Sequence, residues 1–320
     1  MTVDRSQAQQ PPVDEPAGPG GTTTSIQRSG ERFARAGEID LCYETFGSRE
    51  SPPLLLVMGL GSQMILWDED FCEMLASRGF FVIRFDNRDI GRSTILRQAP
   101  VPSRSQLLRR DPSAAAYSLE DMADDTALLL SELEIQSADI VGVSMGGMIS
   151  QQLAVRHPER VRSLVSIMST TGDRRVGRPS LRLYPRLLKR PRLDREGYIE
   201  DFVESQRAIG SKRYRSDPDR LRWMAARSHE RGIHPAGSAR QLAAIVAAVD
   251  RTPLLRSIKI PTTVIHGDAD PLVNVSGGRA TAAAIPGARL VIIPGMAHSL
   301  PRQLWPQLAE EIVATAGSAP

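Results

Sequence analysis

A serine stands between glycines in Ile140-Val141-Gly142-Val143-Ser144-Met145-Gly146-Gly147, and that residue type in that spacing could do nucleophilic chemistry. The apolar residues before it read as a strand and those after it as a helix, which is the setting of a nucleophile elbow. The turn is so tight that side chains two before and two after the serine would collide, which explains Gly142 and Gly146. The hydroxyl is then pushed out above the sheet. A serine hydroxyl is a weak nucleophile near neutral pH, so it needs a base, itself oriented by an acid. Both partners are available downstream. Thr262 to His266 leads into Gly267-Asp268-Ala269-Asp270-Pro271, and Leu290 to Ile293 leads into Pro294-Gly295-Met296-Ala297-His298. Each candidate sits at the carboxyl end of a predicted strand, where active sites of open parallel sheets gather.

Each candidate has a competitor. Asp268 could be the acid instead of Asp270, but a turn or capping role suits it better. Among the histidines, His157 ends a helix, His229 and His234 fall in a long insertion, and His266 ends a strand beneath the site. His298 alone follows the last strand on a loop, so it is the expected base. The oxyanion formed when serine attacks a carbonyl must meet preorganised donors. Backbone N–H groups of Met145, directly after the nucleophile, and of Leu60, in the glycine-flanked loop Gly59-Leu60-Gly61, are the expected pair. Otherwise that loop is a plain strand-to-helix turn.

Positioning these groups requires a particular order of elements. Arg32 to Ala36 and Ile39 to Phe46 read as a hairpin turning at Ala36, Gly37 and Glu38. Leu54 to Met58, Phe80 to Asp86, Ala138 to Val143, Val161 to Met168, Lys259 to His266 and Ala288 to Ile293 read as buried strands. Asp68 to Arg78, Leu119 to Leu133 with Ser118 as N-cap, Gly146 to His157 and Pro301 to Ala316 read as helices. The alternation predicts a doubly wound, mainly parallel α/β sheet. Between about Thr170 and Leu255, helical patterns replace buried strands, which predicts a helical lid inserted after strand 6. The expected organisation is a mobile arm over 1–29, a core over 30–169 and 256–320, and the lid over 170–255. The arm is rich in Pro, Gly, Gln and Thr and cannot offset the entropy of ordering.

Composition narrows the function classes. The 320 residues are 41% apolar, enough for a sizeable core, and carry a formal charge of +3, too mild to imply nucleic-acid binding. The longest apolar runs, such as Pro53 to Leu60, fall far short of the ~20 residues of a membrane-spanning helix. Met1 to Gly21 holds no apolar stretch for a secretory leader, so a cytoplasmic location is expected. Cys42 and Cys72 are too few for a disulfide scaffold or a thiolate metal site and read as buried apolar residues. No phosphate loop, dinucleotide fingerprint or metalloprotease motif is present, so no cofactor and no metal is expected. Asp86-Asn87-Arg88-Asp89-Ile90-Gly91-Arg92-Ser93 reads as buried ion pairs that brace a loop. Arg174 to Arg195 interleaves nine basic residues with Leu181, Leu183, Tyr184, Leu187 and Leu188, a pattern that could rest weakly on an anionic lipid surface. Pro179, Pro185 and Pro191 would break the helix such contact uses, which favours a solvated face.

From Arg32 to Ala316 the chain resembles the α/β-hydrolase superfamily. Leu55-Leu56-Val57-Met58-Gly59, the Asp86 to Ser93 segment, Gly142 to Gly147, and Ile285-Pro286-Gly287-Ala288-Arg289-Leu290 through to His298 resemble the lipase/esterase branch that includes aclacinomycin methylesterase. Many superfamily members have His-Gly where this chain has Met58-Gly59, a methionine that the methylesterase branch shares. The resemblance implies hydrolysis of a small-molecule ester without metal or cofactor, with Ser144, Asp270 and His298 as triad and Leu60 and Met145 as oxyanion donors. Serine at 144 disfavours the aspartate-nucleophile dehalogenases and epoxide hydrolases. Thioesterases, cofactor-free perhydrolases and carbon–carbon bond hydrolases keep the same triad, as would a ligand receptor that turns over negligibly. The sequence fixes neither the acyl chain, nor the alcohol, nor the oligomeric state.

Overall fold

The computed structural model describes residues 26–183 and 192–319. Most of the expected arm, and Tyr184, Pro185, Leu187, Leu188 and Pro191 of the basic stretch, lie outside the described residues.

Eight strands form one sheet: β1 (Arg32–Ala36), β2 (Ile39–Phe46), β3 (Pro53–Val57), β4 (Phe81–Phe85), β5 (Ala138–Val143), β6 (Val161–Ile167), β7 (Thr262–Gly267) and β8 (Arg289–Ile293). Their order across the sheet is β1-β2-β4-β3-β5-β6-β7-β8. The first two pairings are antiparallel and the rest parallel. The doubly wound, mainly parallel expectation is therefore met. Strand periodicity divides the core in two: Leu55, Val57, Ile83 and Ile140 point to one face, and Leu54, Leu56, Val82 and Val141 to the other. The helices, labelled in chain order, are α1 (Glu69–Ser77), α2 (Arg104–Arg109), α3 (Leu119–Glu132), α4 (Met145–Arg156), α5 (Arg195–Ile209), α6 (Pro218–Arg231), α7 (Pro235–Ala247), α8 (Thr252–Leu255), α9 (Ser276–Ala284) and α10 (Trp305–Ala316). The first core takes side chains from α3, α4 and α9, and the second from α1 and α10. Cys42 and Cys72 are free and buried, as expected. No described helix is long and apolar enough to cross a membrane.

Two helices escape the pattern reading. In α9, Ser276-Gly277-Gly278-Arg279-Ala280-Thr281 offers few large apolar residues, yet a Cβ on Gly278 would stand 2.4 Å from His266 Nδ1. Small residues let that helix press on the end of β7. In α2 no side chain is buried, so it has no apolar face to read. The strand expected from Lys259 begins at Thr262, because Pro261 offers no N–H to a ladder.

Among the described residues, four helices, α5 to α8, lie between β6 and β7. They attach to the core through apolar residues such as Ala244 and Leu255 and through ion pairs. Arg231 at the end of α6 reaches Asp86, Gln63 and Glu31. Arg240 of α7 forks onto both oxygens of Asp89 at 2.7 and 2.8 Å, and Arg220 of α6 does the same on Asp68 at 2.7 and 2.9 Å. Asp86 and Asp89 are fully buried. The Asp86 to Ser93 segment is thus a brace of buried ion pairs, one that also reaches the insertion. Such a pair adds little net stability over apolar packing, but losing one partner strands the other charge. Arg240→Met is expected to destabilise the protein in urea melts by about 3–5 kcal/mol, and Asp89→Asn added to it to recover part of that loss. Equal stability of Arg240→Met and the parent would show that the pair is not buried as described.

Candidate active site

β5 delivers the chain into Ser144 at φ 55 and ψ −119, and α4 starts at the next residue. A non-glycine residue there is strained by about 1–3 kcal/mol, and its surroundings must hold it. They do so from three sides. The Ser144 N–H donates to Ile167 O at 2.9 Å, and Ser169 Oγ donates to Ser144 O at 2.8 Å. A Cβ on Gly142 would stand 2.3 Å from Gly146 O, the collision expected from the sequence. One on Gly146 would instead stand 2.1 Å from Val57 O. The second glycine is therefore required by β3, not by its counterpart across the turn.

The loop after β8 brings the imidazole of His298 to the serine, with Nε2 3.0 Å from Ser144 Oγ. Nδ1 lies 2.7 Å from Asp270 Oδ2. The free oxygen of Asp270 accepts the Leu272 and Val273 N–H groups at 2.8 and 2.9 Å. Both Asp270 and His298 are buried. Burial alone would push the Asp270 carboxyl up, but the facing His298, hydrogen bonding from His266 and His298, and the Val273 N–H outweigh it. They hold it well below the ordinary carboxylate range. The His266 nitrogen stands 3.5 Å from Asp270 and closer, at 2.8 Å, to Val273 O.

The competitors have other occupations. Asp268 is exposed and accepts the Gly295 N–H at 2.6 Å, bracing the loop that carries His298. His157 pairs with Asp124, His229 faces Leu193 O and His234 faces Gly91 O.

Met145 is the first residue of α4, so its N–H has no acceptor within the helix and lies at the positive end of the helix dipole. The Gly59-Leu60-Gly61 loop runs alongside: a Cβ on Gly59 would lie 3.2 Å from Ser144 Cβ. Two side chains that the sequence reading missed fix this loop. Asn87 donates to Met58 O at 2.9 Å, and Gln241 of α7 accepts the Gly61 N–H at 2.9 Å while donating to Arg88 O at 2.8 Å. Asn87 lay in a segment already marked as a brace, whereas Gln241 sits in an alanine-rich helix with no local signal. Above the serine opens a cleft of about 720 Å³ whose walls include Leu60, Met148, Phe202, Leu242 and Trp305 together with Ser144 and His298. No group of three or more His, Cys, Asp and Glu side chains among the described residues could hold a metal.

A family model described as alpha/beta hydrolase fold matches residues 52–301. The chain is 29% identical to a rhodomycin D methylesterase from Streptomyces sp. (strain C5), over 88% of this chain and 97% of that protein. Among solved structures it is similar to a hydrolase from Pseudomonas aeruginosa PA01, with 27% identity, TM-score 0.65, and 91% and 99% of the two chains covered. It is similar also to the enol-lactonase from Burkholderia xenovorans LB400, with 25% identity, TM-score 0.67, and 89% and 100% covered. The resemblance to methylesterases read from the sequence is borne out.

The depressed folded pKa of Asp270 carries a sign. Its stabilising contribution is complete above the unfolded carboxylate value of about 3.9 and is lost only as the pH falls through the lower folded value. Asp270→Asn is therefore expected to be less stable than the parent in urea melts at about pH 7, with the gap narrowing below about pH 3. A gap that stays constant across that range would mean the carboxylate gains nothing from its partners.

Proposed function

The chain belongs to the α/β-hydrolase fold family, and on that footing we propose that it cleaves carboxylic esters through an acyl-enzyme formed on Ser144. The observation that carries this reading is the unbroken line Ser144 Oγ, His298 Nε2, His298 Nδ1, Asp270 Oδ2, with contacts of 3.0 and 2.7 Å. As Oγ attacks the ester carbonyl, His298 Nε2 takes its proton. The ionised Asp270 then faces an imidazolium and stabilises it, and its bond to Nδ1 fixes the ring so that Nε2 points at the serine. Negative charge grows on the carbonyl oxygen and is met by the N–H groups of Met145 and Leu60. His298 returns the proton to the leaving alcohol, and water attacking by the same route releases the acid. The methylesterase relative and the apolar walls of the cleft support an ester with a bulky apolar body as substrate. The helices between β6 and β7 act as the lid over it.

The reading is tested with p-nitrophenyl esters and a fluorophosphonate probe. Ser144→Ala and His298→Ala are each expected to lose at least ~10⁴-fold in kcat, and the probe to label the parent but not Ser144→Ala. Ester turnover that survives Ser144→Ala would overturn the mechanism. Tight binding of an ester with no product from the parent would favour a receptor, and turnover of thioesters alone would move the assignment to a thioesterase.

Because Gln241 holds the loop of the second oxyanion donor, Gln241→Leu is expected to lower kcat about tenfold to a hundredfold with KM little changed. A change in KM alone would place Gln241 in substrate binding instead.

A further inference from the structure

Arg251 sits between α7 and α8 and lines the same cleft as the serine. It is 1% exposed, and its partners are all neutral: Nε donates to Gln151 Oε1 at 3.2 Å, Nη2 to Thr170 O at 2.8 Å, and the backbone N–H to Thr171 O at 2.9 Å. Nη1 has no hydrogen-bond partner among the described residues. It lies beneath Gly172, where a Cβ would stand 3.2 Å from it, and Gly172 is itself part of the cleft wall. Thr170, whose carbonyl Arg251 holds, also lines the cleft, and its Oγ1 is buried and unpartnered among the described residues. Burying a cation with no counter-charge is costly, and structures normally resolve it with a carboxylate. Here burial pushes the guanidinium down to about 10, and the Glu120 and Asp250 charges only partly offset it. At neutral pH the charge stays.

We propose that Arg251 and Thr170 form the distal subsite of the cleft, and that it receives a carboxylate carried by the ester substrate. The proposal rests on the hydrolase reading above and names its substrate class. Gln151, which Arg251 touches, lies seven residues along α4 from Ser144, about 10 Å at the helical rise. Ser144 and Arg251 line one cleft with Met148, Ile245 and Val246, so an ester carbonyl at the first and a carboxylate at the second belong to one molecule with an apolar middle. One guanidinium nitrogen and one hydroxyl suit the two oxygens of a planar carboxylate; a phosphate would bring a further oxygen to apolar walls. The rest of the lining agrees in sign, since seven arginines against three aspartates face the cleft among the described residues. That excess favours the arrival of an anion.

The test compares p-nitrophenyl monoesters of succinic, adipic, suberic and sebacic acids with the same esters bearing a terminal primary amide in place of the free carboxyl. In the parent, kcat/KM for the carboxylate is expected to exceed that for the amide by about tenfold or more at one chain length, mainly through KM. Arg251→Gln, which keeps hydrogen-bonding capacity and removes the charge, is expected to bring that ratio near one. Thr170→Val, which is isosteric, is expected to lower it less and covers the case in which Arg251→Gln does not fold. A ratio near one in the parent at every length, or a ratio unchanged in the variants, overturns the proposal. Calorimetric titration of suberate into the parent and into Arg251→Gln separates this proposal from the hydrolase reading. Suberate binding that Arg251→Gln abolishes, with no ester hydrolysed, sustains the subsite and sinks the hydrolase. Ester hydrolysis with no carboxylate preference and no suberate binding does the reverse.

Discussion

Everything at the site depends on a backbone conformation that Ser144 would not adopt unaided. A positive φ at a residue with a Cβ persists only where neighbours leave no alternative, and here the neighbours are set by strand order. β5 lies between β3 and β6, so the carboxyl ends of both flank the turn. β6 supplies the Ile167 carbonyl that holds the serine N–H, and the residues after it supply the Ser169 hydroxyl. β3 supplies the Val57 carbonyl that forbids a side chain at Gly146. The same packing lays the Gly59-Leu60-Gly61 loop against the serine, so the strain and the placement of that loop come from one arrangement.

A second constraint is charge kept out of water. Asp86 and Asp89 leave the end of β4 fully buried, and their counter-charges, Arg231 and Arg240, come from the insertion. Neither half satisfies its polar groups without the other. The brace bears on the site as well as on stability, because Arg240 and Gln241 are adjacent residues of α7. The helix pinned by the ion pair therefore delivers the side chain that fixes Gly61. His298 is tied to the insertion too, through its N–H to Ile209 O at 2.9 Å and through Ala297 to Ser211 at 2.8 Å. Movement of α5 would thus be felt at the imidazole.

The parts legible in the sequence were those whose signal is local. Buried strands showed as continuous apolar runs, the elbow as glycines around Ser144, and the Asp and His as residues just past strand ends. The contacts among Ser144, Asp270 and His298 follow once the strand order does. What escaped was information held between distant segments. Nothing near Gln241 announces that its amide meets Gly61, and nothing near His266 shows that its ring will lie 3.5 Å from Asp270. The helix α9 escaped because its small residues serve close approach to His266 and Thr170, which erases the apolar stripe that marks a helix. The reason for Gly146 was legible only in part, because the clash that forbids a side chain comes from β3.

On the proposed reading, chemistry and selectivity come from different parts of the chain. Ser144, Asp270, His298 and the Gly59-Leu60-Gly61 loop all stand at carboxyl ends of strands, where the sheet fixes them to within a hydrogen bond. The cleft walls come largely from the stretch after β6, whose described residues carry no strand ladder to constrain them. Substitutions there can reshape the cleft without disturbing Ser144, except where a side chain reaches back. Arg251 is such an exception, since it joins the end of the insertion to Gln151 on the nucleophile helix and to the Thr170 and Thr171 carbonyls after β6. A cation placed there with only neutral partners is hard to justify as a brace, because a neutral side chain could make the same hydrogen bonds without burying charge. Glu120 and Asp250 offset its burial only in part, and the anionic substrate end proposed above would supply the rest.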